Sequence, residues 1–407
     1  MNKGLGFSNP ESWRRLADCL AVAVAATLPW SVSASTIAGL LWIAALIPSL
    51  DFAALRREVA TPAGGLPVAF FAIGALGMLW ADVRVADRID GVDSFVRFLL
   101  IPPLFVQFGR PERGLWPLLG FLASTAVLLA LSFASAVTPG ALWGLAKAYG
   151  VPVKDYIAQA GEFTLAAFGA FYLGLHAARE GRNGAAAGWT LLGLAFLADI
   201  LLVATSRTAL VTIPVLCAVF VATQFRGRAR LALIAASVVA AAAILAVSPL
   251  ARERLGSLAS EIEQRDRHVT SAGERLEFWR EGLAIVREAP LLGHGTGTIS
   301  DRYRRAAQGK PGSAAATADN PHNQTLAVAM QTGLAGVLIL YAMWLSHALL
   351  FCRQGLAAFV GLTVVVQNVV GSLFNSHLFD YTHGWIYVFG VGIAGGMVRA
   401  QQLRAGG

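Results

Sequence analysis

The 407 residues are 56% hydrophobic and 14% charged, with a mean hydropathy of +0.61, far below the roughly one quarter charged that soluble domains carry. This excludes a soluble enzyme and a disordered chain, and it reads as an all-α integral membrane protein. The net charge of +8 does not point to nucleic acid, because the cations lie at the ends of cytoplasmic loops, where anionic lipid attracts them.

A helix needs roughly 20 apolar residues to cross a bilayer, since backbone groups cannot go unpaired in lipid. Twelve runs meet that need, at about 16–32, 34–50, 64–81, 91–108, 115–137, 162–178, 188–205, 207–225, 230–248, 324–351, 356–374 and 384–399. Arg14-Arg15 ahead of the first run imitates a signal peptide, but with eleven further runs behind it the segment reads as a retained first span. With the N-terminus inside, fifteen Lys and Arg fall on cytoplasmic segments and only four on short outer loops, as the positive-inside rule requires. The expected division is nine spans in 1–248, a large periplasmic loop over 249–323, and three spans with a cytoplasmic tail in 324–407, both termini being cytoplasmic. Cys19, Cys217 and Cys352 lie in or beside spans, so no disulfide framework is implied.

Arg97 falls inside the fourth run, about 9 Å below its outer end at 1.5 Å per residue. A charge at that depth is costly, so it either snorkels outward or faces an internal cavity and binds phosphate. Arg207 sits in a very short outer hairpin among Thr205, Ser206 and Thr208, where it either snorkels as an anchor or, as the three hydroxyls favour, binds an anion.

Within the insert, Leu255, Leu258 and Ile262 recur at helical spacing and suggest a short amphipathic helix. Ser271-Ala272-Gly273-Glu274 has the form of a capping box, followed by an apolar stripe of Leu276, Trp279, Leu283 and Val286 that Pro290 ends. Arg275 lies in its first turn. Gly293-His294-Gly295-Thr296-Gly297-Thr298 is a glycine-rich stretch whose free amides can cradle an anion, and 301–319 reads as a polar, mobile loop. The insert closes on Asn320-Pro321-His322-Asn323, which places a histidine at the water–lipid boundary. Farther on, His377-Leu378-Phe379-Asp380-Tyr381-Thr382-His383 fits no strong zinc template; Asp380 there can pair with an arginine or orient a histidine.

Ser206-Arg207-Thr208-Ala209, Arg275 with Trp279, Gly293-His294-Gly295 and Pro321-His322-Asn323, in this order and all on the outer side, resemble the O-antigen ligases of the O-antigen polymerase–ligase superfamily. The resemblance implies a GT-C type of membrane glycosyltransferase. It implies transfer of a glycan from undecaprenyl pyrophosphate to the lipid A–core oligosaccharide at the periplasmic face of the bacterial inner membrane. Carried over residue by residue, it makes Arg207, Arg275 and His322 catalytic. Pyrophosphate binding extends to Arg97, Asn323, Gly293, Gly295 and Asp380, and neither metal nor cofactor is expected. A guanidinium offers phosphate planar, permanently charged hydrogen bonding, and imidazole titrates where a general base must. The rival readings are a polymerase or another transferase of lipid-linked glycans and, from another class, a flippase for lipid-linked sugars, although no internal repeat of the transporter kind is seen.

Overall fold

The structure is a computed structural model and describes residues 10–109, 114–138, 149–233, 235, 271–309 and 318–405. Among these residues there are helices and no strands. In chain order they are α1 (Pro10–Thr27), α2 (Val32–Leu46), α3 (Phe52–Val59), α4 (Pro62–Gly77), α5 (Val85–Val96), α6 (Ile101–Phe108), α7 (Leu115–Val137) and α8 (Tyr156–Arg179). There follow α9 (Asn183–Leu202), α10 (Arg207–Gln224), α11 (Ser271–Glu288), α12 (Ile299–Ala307), α13 (Gln324–Leu350), α14 (Leu356–Gly371) and α15 (Tyr381–Ala405).

Five of these segments are long and apolar enough to cross a membrane, or six when α3 and α4, bent by 84° at their junction, are taken as one. The expected ninth span and the amphipathic helix of Leu255, Leu258 and Ile262 lie almost wholly outside the described residues. The third expected span is α4, which α3 precedes across a turn at Thr61-Pro62, where Thr61 caps α4 by accepting from the Gly64 amide and proline can open a helix but not continue one. The fourth expected span is broken: it is α5 and α6 joined by a 3-10 turn over Arg97–Leu100, with Pro102-Pro103 behind it.

The main core joins α1, α2, α4, α5, α6, α13, α14 and α15 through Val24, Trp42, Phe70, Phe95, Phe105, Leu340, Val364 and Tyr387. A second packs α7 to α10 around Phe163, Phe196 and Ile200.

Helix lengths locate one end of the first bundle. His347 Nε2 lies 2.9 Å from the Ala63 carbonyl, while Thr296 N–H donates to the Gly77 carbonyl and Gly295 N–H to the Gln331 carbonyl. Between those ties α4 and α13 each rise about 21–24 Å, and α14 is about 24 Å long at 1.5 Å per residue. The 27 residues of α13 would reach about 40 Å if straight, yet its first residue donates from N–H to the Ser372 carbonyl just past the end of α14. Residues 324–332 therefore turn across the end of the bundle. The turn is made at Gly333, whose φ of 62° and ψ of −158° belong to a region that only glycine occupies freely.

Burial changes at the same residue. None of 324–333 is exposed, whereas Leu334, Leu338, Tyr341, Leu345 and Leu349 are exposed in a helical stripe, the mark of a lipid-facing side.

The break is filled by the insert. An intact helix would bond the amides of Leu334 and Ala335 to the carbonyls of Met330 and Gln331. Here those amides donate instead to Pro290 and Leu291, and the two released carbonyls accept from His294 and Gly295. Two helical bonds are thus replaced by four between insert and helix, so the two amides and two carbonyls that the break releases all find partners.

Candidate functional site

The fold brings four segments to that end of the bundle: α11 and α12, residues 318–323, the turned-over start of α13, and the 372–380 connection between α14 and α15. Helix α11 packs inward through Phe278 and Ile285, against Tyr303, Met330 and Ala318, with Gly282 close to Leu326. The expected stripe is corrected: Trp279 and Leu283 are exposed, because the face that meets α12 and α13 is one residue away from the one they occupy. The expected loop over 301–319 is also corrected in part, since α12 is helical and its Tyr303 is buried, donating from Oη to the Phe278 carbonyl at 2.7 Å.

His322 is half-buried and stacks on Phe278 with ring centroids 6.2 Å apart. Its φ of 52° is uncommon for a residue with a side chain and is imposed by its neighbours. Asn320 folds back so that its Oδ1 accepts from His322 N–H at 2.8 Å, an Asx turn, and Asn323 caps α13 by accepting from the Leu326 amide. Ser376 donates to Asn320 Oδ1 at 2.6 Å, Asn320 Nδ2 donates to Asn375 Oδ1 at 2.9 Å, and Asn375 Oδ1 lies 3.1 Å from His322 Nδ1. Burial, and after it the positive charge of Arg275, hold the His322 imidazole below the ordinary histidine range, although its hydrogen bond to Asn375 works the other way. Arg275 is half-buried on α11, so the sequence motifs at 275 and 322 are electrostatic neighbours in space.

Arg97 does not snorkel. It is 8% exposed and donates from Nη1 to the Asp380 carbonyl at 2.7 Å, at the junction of α5 with the 3-10 turn. The Asp380 carboxylate meanwhile accepts from the His383 amide at 2.9 Å and lies 2.8 Å from His383 Nδ1. Burial would raise that carboxyl, but His383 more than offsets it and holds it well below the usual carboxylate range. The rings of His377 and His383 stack with centroids 3.9 Å apart, and among the described residues no group of three or more His, Cys, Asp or Glu is arranged to hold a metal ion. Arg97→Met removes the charged donor from the Asp380 carbonyl, which keeps the Gly384 amide at 3.0 Å, and a hydrogen bond to a charged group is worth roughly 1.5–3 kcal/mol. A fall of several degrees in melting temperature is expected, measured on purified protein in detergent.

The expected anion cradle at 293–298 is corrected as well. The amides of Gly293, His294, Gly295, Thr296 and Gly297 donate to Ala289, Met330, Gln331, Gly77 and the Gln331 side chain respectively. The glycines serve close packing: a Cβ at Gly293 would come 2.5 Å from the Gln331 carbonyl carbon, and one at Gly295 would come 2.4 Å from Ala81 Cα. Arg207 opens α10 behind Ser206, beside a small cavity lined by Thr164, Ser206, Thr208, Gln367, His377 and His383. His322 does not line that cavity.

A larger cavity of about 480 Å³ lies against the His322 cluster, its wall including Asn320, Pro321, Ser376 and Gln331. Asp87, Asp90, Asp301, Asp319 and Asp380 also line it, against only Arg84 and Arg304. Those two guanidiniums are bonded to Asp87 and Asp301, so the cavity favours neutral, hydroxyl-rich matter over phosphate. Sequence reading missed Asn375 and Ser376, and it missed the buried ion pair of Lys154 with Glu162 at 3.3 Å, which also engages Thr382. The one signal for the latter was a charged residue inside an apolar run.

No curated protein matches the chain. A family model described as O-antigen ligase matches residues 192–341, a stretch that contains Arg207, Arg275, Gly293, Gly295, His322 and Asn323 and leaves Arg97, Asn375 and Asp380 outside it. With helices and no strands among the described residues, several of them able to cross a membrane, the chain is similar to the O-antigen ligase family over 192–341, the stretch that carries His322.

Proposed function

We propose that this protein is an O-antigen ligase that moves a glycan from undecaprenyl pyrophosphate to the lipid A–core oligosaccharide. The observation that carries the reading is His322: a half-buried imidazole in a left-handed turn, depressed in basicity, beside Arg275 and in a cluster whose Asn320 and Ser376 line a polar cavity. The bundle end that bears it faces the periplasm in a GT-C membrane protein of twelve spans. Both termini are cytoplasmic, 249–323 is the outer loop, and the whole lies in the bacterial inner membrane.

In this reading His322 takes the proton of the acceptor hydroxyl as its oxygen attacks the anomeric carbon of the donor. The bond from that carbon to the pyrophosphate oxygen breaks in the same step, so the anomeric centre inverts. Negative charge grows on the departing pyrophosphate, and fixed guanidinium groups stabilise it without reorganising. Arg275 is the nearer of the two, and Arg207, at the positive end of α10, serves the far phosphate. The arginines supply the charge that a divalent ion supplies elsewhere, so transfer continues in EDTA. The acid-lined cavity takes sugar, with the pyrophosphate outside it on the arginine side. Lipid anchors hold donor and acceptor at one depth, which makes their encounter effectively intramolecular.

The test is purified protein supplied with glycan on undecaprenyl pyrophosphate together with lipid A–core. Glycan appearing on lipid A–core supports the ligase; lengthening of the donor's own glycan in its place makes the protein a polymerase. Neither product, with movement of the lipid-linked sugar across a vesicle membrane, makes it a flippase.

A pH profile probes the same pair. The unprotonated imidazole is the active form, so the rate rises with pH through the His322 pKa, and the acid limb lies below the usual histidine value of about 6.5. In Arg275→Gln the depressing charge is gone. The acid limb is expected to move to higher pH while the plateau falls.

A further inference from the structure

Resting on the proposed role of His322, we infer that Asn375 is a positioning residue that fixes which nitrogen of His322 carries the proton, and that Asn320 and Ser376 set Asn375 for that task.

A backbone N–H can only donate, and His322 N–H points at the Asn320 side chain at 2.8 Å, so the atom there is the amide oxygen and not the amide nitrogen. Ser376 Oγ, 2.6 Å from the same atom, is satisfied by that assignment. The other end of Asn320 is then its NH₂ group, which must find an acceptor, and the Asn375 atom 2.9 Å away is therefore Oδ1. That oxygen also lies 3.1 Å from His322 Nδ1. An amide oxygen cannot donate, so Nδ1 carries the hydrogen and the neutral imidazole has its lone pair on Nε2. Each step removes one of two alternatives, and the last leaves a ring with a bare Nε2, the atom a general base uses.

The arrangement has the logic of a base oriented by a third group, with a neutral amide where a carboxylate often stands. The choice of amide has a consequence: a carboxylate would raise the proton affinity of His322, and an amide fixes the tautomer with a smaller increase. The charged groups that act on the ring from α11 are Arg275, which lowers its proton affinity, and Glu274, which raises it. Asn375 comes from the connection between α14 and α15 and Asn320 from the end of the insert, so the proton's position depends on these two parts of the chain being docked.

The test uses full-length protein with ¹⁵N-labelled histidine, the His322 signals being identified by their loss in His322→Gln. The imidazole shifts of the wild type at neutral pH are expected to show a protonated Nδ1 and an unprotonated Nε2. In Asn375→Ala the signals should move to a mixture of tautomers. The kcat for transfer should fall by about tenfold or more, less than the roughly 10⁴-fold seen when a catalytic histidine is held in the wrong tautomer. The acid limb of its pH profile should also move to lower pH. Asn375→Asp keeps an acceptor at the same place, so it should restore the Nδ1–H tautomer and much of the rate, with the acid limb moved to higher pH. An Nε2–H tautomer in the wild type overturns the inference. So does an Asn375→Ala protein whose tautomer, kcat and pH profile are unchanged. If the tautomer responds as described while His322→Ala still transfers glycan, the positioning is real and the base assignment is what fails.

Discussion

Replacing His322 with alanine is expected to lower the initial rate of glycan transfer by about 10²–10⁴-fold, the usual worth of a positioned general base, or roughly 3–5 kcal/mol in the barrier. The loss should fall on kcat, because the arginines and the cavity proposed to hold the substrates do not depend on the ring. One complication is conformational: at a φ of 52° alanine is strained, whereas asparagine tolerates the left-handed region. His322→Asn therefore keeps the backbone and can still meet Asn375, but it has no group that accepts a proton near neutral pH. Both variants should melt within a few degrees of the wild type, and both should be nearly inactive. Transfer by His322→Asn within threefold of the wild type, in protein that remains folded, would remove His322 from the chemistry.

Much of this was written in the sequence, and what was not has definite physical reasons. Apolar runs mark most of the helices because burial in lipid makes a simple compositional demand, and α7, α9, α10 and α13 overlap the runs expected for them. The His322 motif was legible because a polar Asn-Pro-His-Asn stands directly before a long apolar run. The break at Arg97 was not, since a buried arginine and a snorkelling one have the same sequence; only the Asp380 carbonyl, 283 residues away, decides between them. Asn375 was invisible for a like reason, its partners lying 53 and 55 residues earlier. The glycine stretch at 293–298 was legible as special and misread in kind. Glycine permits an exposed anion cradle and close backbone packing equally well, and the deciding fact is where the amides point. For Asp380 the alternatives were an arginine or a histidine, and its carboxylate meets His383, while Arg97 bonds the backbone carbonyl of the same residue.

Gly333→Ala should be among the more damaging single-methyl changes in the described residues. A Cβ there would stand 2.3 Å from the Leu291 carbonyl carbon, 2.4 Å from its oxygen and 2.5 Å from the Leu292 nitrogen. All three are backbone atoms and cannot swing aside as a side chain can. The dihedral angles add their own penalty of order 1–3 kcal/mol for a residue with a side chain. Relief requires either that α13 straighten or that the 290–292 segment withdraw, and both routes break the four hydrogen bonds exchanged between the insert and the helix, each worth about 0.5–1.5 kcal/mol. The combined effect, several kcal/mol, is a large share of the 5–15 kcal/mol by which a typical protein is stable. Gly188→Ala in α9 is the matched control: no atom lies within 4 Å of its Cβ position, and alanine in a helix interior is favoured over glycine by about 1 kcal/mol. Thermal melting of the two variants beside the wild type should show Gly333→Ala poorly folded or lowered by many degrees and Gly188→Ala unchanged or raised. Any folded Gly333→Ala protein should also lose transfer, because the insert that carries Arg275 and leads into His322 is held to the bundle by that break. A Gly333→Ala protein as stable and active as the wild type would mean that α13 is not turned by the insert at all.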